Sequence, residues 1–71
     1  MDIRKRTCLI IEKDGRFLQC VDFTHTVLWC ASPWDAWRTR SRDEADRVCD
    51  LLGGEPVLFD PIVGRTASLK R

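Results

Sequence analysis

The residues best suited to bind another molecule are three tryptophans and three arginines that stand close together in the chain. They are Trp29, Trp34, Trp37, Arg38, Arg40 and Arg42. Large aromatic rings and guanidinium groups are enriched where proteins bind proteins or unstacked nucleic-acid bases, because each offers much contact area for little lost conformational freedom. Tryptophans also fill the cores of small domains. The pattern therefore favours a binding site, with a structural role in the core as the alternative.

Catalytic chemistry has little support in the sequence. A nucleophile needs an adjacent base and a group that orients that base, but His25 is the only histidine of the chain. It stands between two predicted strands, where a structural or solvent-facing role is expected. The sequence contains no glycine-rich phosphate loop and no nucleophile elbow. We therefore expect a protein that is not an enzyme, with no catalytic residue and no cofactor.

The cysteines give no clear metal signature. They are Cys8, Cys20, Cys30 and Cys49, and no two of them have the close spacing of a zinc knuckle. We expect them to behave as free, small hydrophobic residues, and we expect no metal. A mixed zinc site assembled from distant cysteines and His25 is the alternative.

Length and charge limit the class of protein. The chain has 71 residues, which predicts one domain over 1–71 whose small core leaves a thin margin of stability. Its 12 lysines and arginines nearly balance 11 aspartates and glutamates, so no overall field attracts nucleic acid or an anionic membrane. The apolar run near the start is too short for a signal peptide or a membrane span. A cytoplasmic protein is expected, with no membrane partner.

A hairpin is the clearest local structure. Asp14-Gly15 between two apolar runs is typical of a type I′ turn, which sets the register of strands over 7–13 and 16–23. In that register Glu12 faces Phe17 and Leu9 faces Cys20. The face under the predicted helix carries Leu9, Ile11, Leu18 and Cys20, and the opposite face carries Cys8, Ile10, Phe17, Val21 and Phe23. Since both faces are apolar, the second must be covered by loops of the chain, by the tryptophans or by another molecule.

Further elements are predicted after the hairpin. A third strand over 25–31 is apolar on both sides, as is typical of a central strand. Ser32-Pro33 begins a turn or a single helical turn that would place Trp34 and Trp37 on one face. Ser41 and Glu44 form the capping box of a helix over 42–52, which Gly53-Gly54 ends. A fourth strand over 56–61 is bracketed by prolines and is expected at an edge, before a mobile basic tail over 64–71.

These elements predict an α+β domain in which one helix packs on a small, mostly antiparallel sheet of three to four strands, in the order β-β-β-α-β. The sequence resembles short open reading frames of bacteriophages and other mobile elements over residues 7–60. The resemblance rests on the Asp-Gly hairpin, Asp35-Ala36-Trp37, Ser41-Arg42-Asp43-Glu44-Ala45, Leu51-Leu52-Gly53-Gly54 and Val57-Leu58-Phe59. It implies a non-enzymatic accessory protein that binds a host or phage protein, as inhibitors of host defence do, and it assigns no functional residue.

The function predicted from the sequence is that of a small non-catalytic protein-interaction module, which is expected to form a homodimer, to bind a larger host or phage protein, or to do both. The contact is expected at Trp34, Trp37, Arg38 and Arg40. The alternative is a module that binds single-stranded nucleic acid, in which Trp34 and Trp37 stack on bases while Arg38, Arg40 and Arg42 follow the phosphates. The nearly neutral charge of the chain counts against that alternative.

Overall fold

The fold is known from a computed structural model, which describes residues 7–21 and 26–69, without the side chain of Val21. In chain order its elements are β1 (Cys8–Lys13), β2 (Arg16–Val21), β3 (Val27–Cys30), a 3₁₀ helix (Pro33–Asp35), α1 (Arg42–Leu52), β4 (Glu55–Asp60) and β5 (Arg65–Ser68). The strands form one antiparallel sheet in the order β3-β2-β1-β4-β5. The α+β class with one helix on an antiparallel sheet is confirmed. Phe23, His25 and the basic residues at both ends of the chain lie outside the described residues.

The expected number of three to four strands is wrong, because a fifth strand follows the turn after β4. Residues 65–68, which the sequence assigned to a basic tail, pair with β4 from Asp60 opposite Arg65 to Val57 opposite Ser68. The N–H of Gly64 donates to the carbonyl oxygen of Asp60 at 2.7 Å and closes the turn. All four side chains of β5 are exposed, so the strand depends on backbone pairing and has no apolar alternation by which a sequence pattern could find it.

The hairpin turn is confirmed, but the register predicted along the rest of the hairpin is wrong. Asp14 and Gly15 have φ values of 53° and 78°, as a type I′ turn requires. The pairs next to the turn are Glu12 with Phe17 and Lys13 with Arg16. Beyond those pairs, another part of the chain occupies the hydrogen-bonding positions between β1 and β2.

That part is the inserted segment, residues 37–39. Leu9 donates its N–H to the carbonyl oxygen of Thr39 at 2.7 Å and accepts the N–H of Thr39 at 3.0 Å. The N–H of Trp37 donates to the carbonyl oxygen of Leu18 at 2.8 Å. Leu9 therefore faces Thr39 and not Cys20, and the tryptophan-arginine stretch is built into the sheet.

The third strand lies at an edge of the sheet, although its apolar alternation predicted a central position. Val27 and Trp29 pack against the cluster on the helix side, and Cys30 packs against the cluster on the other side. An edge strand can therefore be apolar on both faces when both layers of the domain extend over it. A pattern of apolar residues shows which faces of a strand are covered, but it does not show whether the strand has a hydrogen-bonded neighbour on each side. The predicted central position of β3 is wrong for this reason.

The fourth strand is internal, between β1 and β5, and its prolines did not force it to an edge. Because Leu9 directs its N–H and C=O toward Thr39, the next residue, Ile10, directs its own toward Val57 of β4. The nitrogen of Pro56 then points away from β1 and toward β5. The last pair between β4 and β5 is Val57 with Ser68, so Pro56 lies beyond the end of that pairing. The missing donor of Pro56 thus removes no hydrogen bond from the sheet.

The residues that the structure describes form two core clusters, one on each side of the sheet. The helix-side cluster contains Leu9, Ile11, Leu18 and Ala45, with Val48, Cys49 and Leu52 of α1 packed against it. The loop-side cluster contains Cys8, Ile10, Phe17, Ala36, Val57 and Phe59. Cys20, predicted under the helix, is exposed, because the pairing of β2 with β3 shifts register between Leu18 and Cys20 and interrupts the alternation. Within the described residues the second face is covered by the chain itself, through the loop that carries Ala36.

The helix begins and ends where the sequence predicted. The hydroxyl of Ser41 accepts the N–H of Glu44 at 3.2 Å, and the N–H of Gly53 donates to the carbonyl of Cys49 at 2.8 Å. The predicted capping box is only half formed, because the N–H of Ser41 donates to Oγ1 of Thr39 at 3.1 Å and not to the side chain of Glu44. Lys13 extends from the hairpin and donates from Nζ to the carbonyl oxygen of Leu52 at 3.0 Å. A cation at this end of the helix is favourable because the last carbonyls carry partial negative charge.

Gly54 permits the close approach of the helix exit to β1, and we expect Gly54→Ala to destabilise the protein more than Gly15→Ala. Both residues have positive φ, 90° and 78°, which costs an alanine about 1–2 kcal/mol. A Cβ at Gly54 would also lie 2.7 Å from the backbone oxygen of Glu12, whereas a Cβ at Gly15 meets nothing within 4 Å. Overpacking adds about 1–3 kcal/mol. Equal losses of unfolding free energy in urea titrations would contradict the close approach.

Candidate functional site

Trp34 is half exposed yet held from several directions. Its side chain is 52% exposed, and its ring meets the ring of Phe59 edge to face, with centroids 5.3 Å apart and an interplanar angle of 88°. The hydroxyl of Ser32 accepts the N–H of Trp34 at 3.2 Å. Gly64 lies against the ring, where a Cβ would be 3.0 Å from Cζ2. The ring is therefore held in place by its neighbours while about half of the residue stays exposed.

Arg38 is ordered by the same aromatic pair. Its guanidinium group lies over the ring of Phe59, with Cζ 5.2 Å from the centroid, and Nη2 donates to the carbonyl oxygen of Trp34 at 3.0 Å. The first contact is a cation–π interaction, which favours a guanidinium over an uncharged side chain. The side chain is nevertheless exposed, so Arg38 presents an oriented positive charge beside Trp34.

Trp37 lies on the other side of the sheet, and the predicted common face for Trp34 and Trp37 is wrong. Trp37 is half-buried and packs against the helix-side cluster, whereas Trp34 contacts Phe59 of the loop-side cluster. The 3₁₀ helix ends at Asp35, and Ala36 has extended backbone with φ −75° and ψ 148°. The helix therefore ends before Trp37, and the three-residue helical spacing that would align the two rings is lost.

The arginines border two open grooves at the end of the sheet where β1 begins. One groove has a volume of about 280 Å³ and is lined by Cys8, Arg38, Thr39, Arg40 and Pro61. The other has a volume of about 270 Å³ and is lined by Thr7, Cys8, Leu9, Arg40, Arg42, Leu58 and Leu69. The two grooves share Cys8 and Arg40 as lining residues. Arg42 is partly neutralised, because its Nε lies 3.1 Å from Oδ1 of Asp46.

Cys8 lines both grooves. It is buried, and its thiol lies 3.7 Å from the carbonyl oxygen of Phe59. Burial raises the pKa of the Cys8 thiol above its ordinary value, although the charges of Arg38 and Arg40 act in the opposite direction. The thiol is therefore protonated at neutral pH and is a poor nucleophile.

Ile62 and Val63 are exposed apolar residues that the sequence did not single out. They are 70% and 56% exposed, in the turn between β4 and β5. That turn touches Trp34 through Gly64 and the first groove through Pro61. Asp60-Pro61 followed by Gly64 predicts a turn. The sequence does not show that this turn, with its two exposed apolar residues, lies beside Trp34.

Metal sites and membrane-spanning helices were also considered. Within residues 7–21 and 26–69, no cluster of three or more His, Cys, Asp or Glu side chains is placed to hold a metal ion. In the same part of the chain, no helix is long and apolar enough to span a bilayer. Comparisons with protein-family models, with curated proteins and with solved structures gave no match for this chain.

Proposed function

We propose that the protein is a small, non-catalytic interaction module that binds a partner protein through the Trp34 surface. This surface is formed by Trp34, Arg38, Arg40, Ile62 and Val63. The observation that carries the proposal is the state of Trp34, which is 52% exposed although its ring and backbone are fixed by Phe59, Ser32 and Arg38. A monomer gains stability from a buried tryptophan, so a rigid and half-exposed one is suited to a contact with another molecule.

Side chains that are already ordered favour binding because less conformational entropy is lost when the complex forms. Immobilising a mobile side chain on binding costs about 0.5–1.5 kcal/mol, and the contacts of Trp34 and Arg38 remove much of that cost in advance. Aromatic residues and arginine are also the types enriched in the cores of protein interfaces. Ile62 and Val63 add apolar area next to the ring. Trp37, which the sequence included in the contact, is not part of the proposed surface because it packs on the other side of the sheet.

The proposed partners are a second copy of the chain or a larger protein of the host or phage, as the resemblance of the sequence implies. The four cysteines are free, which suits the reducing cytoplasm. A nucleic-acid module is disfavoured because Trp34 and Trp37 lie on opposite sides of the sheet and cannot stack successive bases of one strand. Strong fluorescence quenching by a short oligothymidylate at low salt would reverse that preference.

Trp34→Ala tests the proposal directly. We expect the variant to weaken partner affinity by roughly thirtyfold or more, the effect of losing an interface hot spot of about 2 kcal/mol. Leu51→Ala is the matched control, because Leu51 is 82% exposed but lies on the helix; its affinity should stay within about twofold. Affinities are measured by calorimetry against the protein captured by the wild type from the native host, or by sedimentation equilibrium if the partner is a second copy.

The opposite result has a distinct signature. If Trp34→Ala lowers the melting temperature strongly while the affinity per folded molecule is unchanged, Trp34 is a core residue and the proposal fails. Trp34→Phe separates the core role from the binding role further, since it keeps an aromatic edge on Phe59 but reduces the exposed aromatic area. A wild-type chain that stays monomeric at high micromolar concentration would remove the homodimer and leave the larger partner.

A further inference from the structure

We propose that β3 (Val27–Cys30) pairs antiparallel with β3 of a second copy of the chain, which joins the two five-stranded sheets into one. In this pairing Leu28 lies opposite Leu28 of the second copy, and Val27 lies opposite Trp29 of the second copy. The contact is separate from the Trp34 surface. It goes beyond the proposed function, because it assigns the second copy of the chain to one edge of the sheet.

The outer edge of β3 carries backbone groups that point away from the sheet. Residues directly opposite one another in an antiparallel pair either exchange both hydrogen bonds or direct their groups away from each other. Leu18 of β2 lies opposite Trp29, but its carbonyl oxygen accepts the N–H of Trp37 in the inserted segment at 2.8 Å. Trp29 therefore directs its N–H and C=O outward, and so does Val27, two residues earlier. Among the residues that the structure describes, these outward groups have no backbone partner.

The side chains of β3 do not protect this edge. Natural sheets keep their edges from pairing with other chains by means of charged residues and prolines, but β3 contains neither a charged residue nor a proline. Its Leu28 is 48% exposed. The opposite edge, β5, also has four residues, but all of them are exposed and they include an arginine, a threonine and a serine. Pairing at β3 therefore buries apolar area, whereas pairing at β5 does not.

The alternation of β3 selects one symmetric register. Hydrogen bonds form across a new antiparallel contact only where outward residues face each other, and Val27 and Trp29 are the outward residues of the strand. A two-fold axis beside Leu28 places Val27 opposite Trp29 at both ends of the contact, so both residues of both copies are bonded. An axis at either of the outward residues would place the other one opposite a residue outside β3. Leu28 then faces itself in a non-hydrogen-bonded pair, in which side chains lie closest and contact each other.

Pairing of β3 with itself also gives a closed assembly. It uses the β3 edge of both copies and leaves only the two β5 edges, which carry polar side chains. Pairing of β3 with β5 would be a head-to-tail contact, which continues from copy to copy unless the rotation closes a ring. The composition and the symmetry of the edge therefore both favour a dimer.

The dimer leaves the Trp34 surface of each copy open. The ring of Trp34 packs on Phe59 of β4 and lies beside Gly64, and two strands, β2 and β1, separate β4 from β3 in the sheet. The paired molecule thus presents two Trp34 surfaces. A larger protein with two matching sites would bind it with added avidity, because the second contact forms within the same complex.

The test is sedimentation equilibrium of the full-length chain from low to high micromolar concentration. We expect the wild type to shift from monomer to dimer, and Leu28→Lys to weaken the association at least about tenfold, because two like charges would meet on the two-fold axis. Leu51→Lys is the matched control, since it makes the same change at a leucine of the helix that is 82% exposed. Thr66→Lys makes a corresponding change on the β5 edge. Both controls should stay within about twofold of the wild type.

Charge complementation tests the register itself. Leu28→Glu alone should also weaken the association, but a mixture of Leu28→Lys and Leu28→Glu should associate at least about tenfold more tightly than either variant alone, because opposite charges then meet on the axis. In the wild type, hydrogen exchange at the amides of Val27 and Trp29 should slow as the concentration rises. The amide of Cys30, which already faces Phe17 of β2, should change less.

Four results would overturn the inference: a wild type that stays monomeric at high micromolar concentration, equal effects of Leu28→Lys and either control, a mixture that associates no better than its components, or exchange at Val27 and Trp29 that slows only when a larger partner is added. Thermal melting shows whether each variant is folded. Leu28→Ser, which removes the apolar contact without adding a charge, replaces Leu28→Lys if that variant is not.

The proposed function fails separately from this inference. If Leu28→Lys dissociates the dimer while Trp34→Ala leaves the affinity for a larger partner unchanged, the β3 contact stands and the Trp34 surface is wrong. If Trp34→Ala dissociates the dimer and Leu28→Lys does not, the second copy occupies the Trp34 surface and the β3 contact is wrong.

Discussion

Phe59→Ala is expected to lower the free energy of unfolding by about 3–5 kcal/mol, the range for truncating a fully buried phenylalanine. Phe59 is 0% exposed and belongs to the loop-side cluster. A chain of 71 residues has about 4–11 kcal/mol of stability in total, so the variant should lose a large share of it. The measurement is urea unfolding followed by circular dichroism, with wild type and variant compared at the same temperature.

The size of this effect depends on the position of Phe59 and not on truncation as such. Leu51→Ala removes a side chain that is 82% exposed and should change stability by no more than about 0.5 kcal/mol. Phe59→Leu keeps most of the buried volume but removes the ring beneath Arg38 and beside Trp34. It should therefore fold, while binding through the Trp34 surface weakens. A loss below about 1 kcal/mol in Phe59→Ala would show that the loop-side cluster is not a packed core.

Thr39→Pro is expected to detach the inserted segment from the sheet. The substitution removes the N–H that donates to the carbonyl of Leu9 at 3.0 Å, and Leu9 is a buried residue, 7% exposed. A buried acceptor without a partner costs about 1–3 kcal/mol, and the proline ring adds a steric conflict in the interior of a sheet. Binding of the partner should weaken as well, because the segment carries Arg38 and positions Arg40.

Thr39→Ala separates the backbone contribution from that of the side chain. It keeps the N–H but removes the hydroxyl that accepts the N–H of Ser41 at 3.1 Å, a contribution of about 1 kcal/mol. Thr39→Pro should be less stable than this control by the further 1–3 kcal/mol or so. Hydrogen exchange at the amide of Leu9, which donates to Thr39 at 2.7 Å, should speed up in the proline variant alone. Equal stability and equal exchange in the two variants would argue against an inserted segment.

The candidate site could be predicted in part from residue types. Trp34, Arg38 and Arg40 stood out because few other side chains combine contact area with oriented charge. The sequence did not show which tryptophan remains exposed. A helical Ala36 would place Trp37 on the same face as Trp34, whereas the extended Ala36 of the structure places it on the other side of the sheet. Ile62 and Val63 are unremarkable in the sequence. They matter because pairing of β5 with β4 brings their turn beside Trp34.

Two local elements follow from neighbouring residues alone. The Asp14-Gly15 turn and α1 (Arg42–Leu52), with its caps Ser41 and Gly53, form where predicted, because positive φ and helix capping are decided by residues within a few positions of one another. Strand order, the insertion of residues 37–39 between β1 and β2, and the fifth strand were decided only in the tertiary structure. Every residue except proline offers the same backbone N–H and C=O groups, so side-chain patterns do not specify which distant partners those groups choose, and the Trp34 surface depends on that choice.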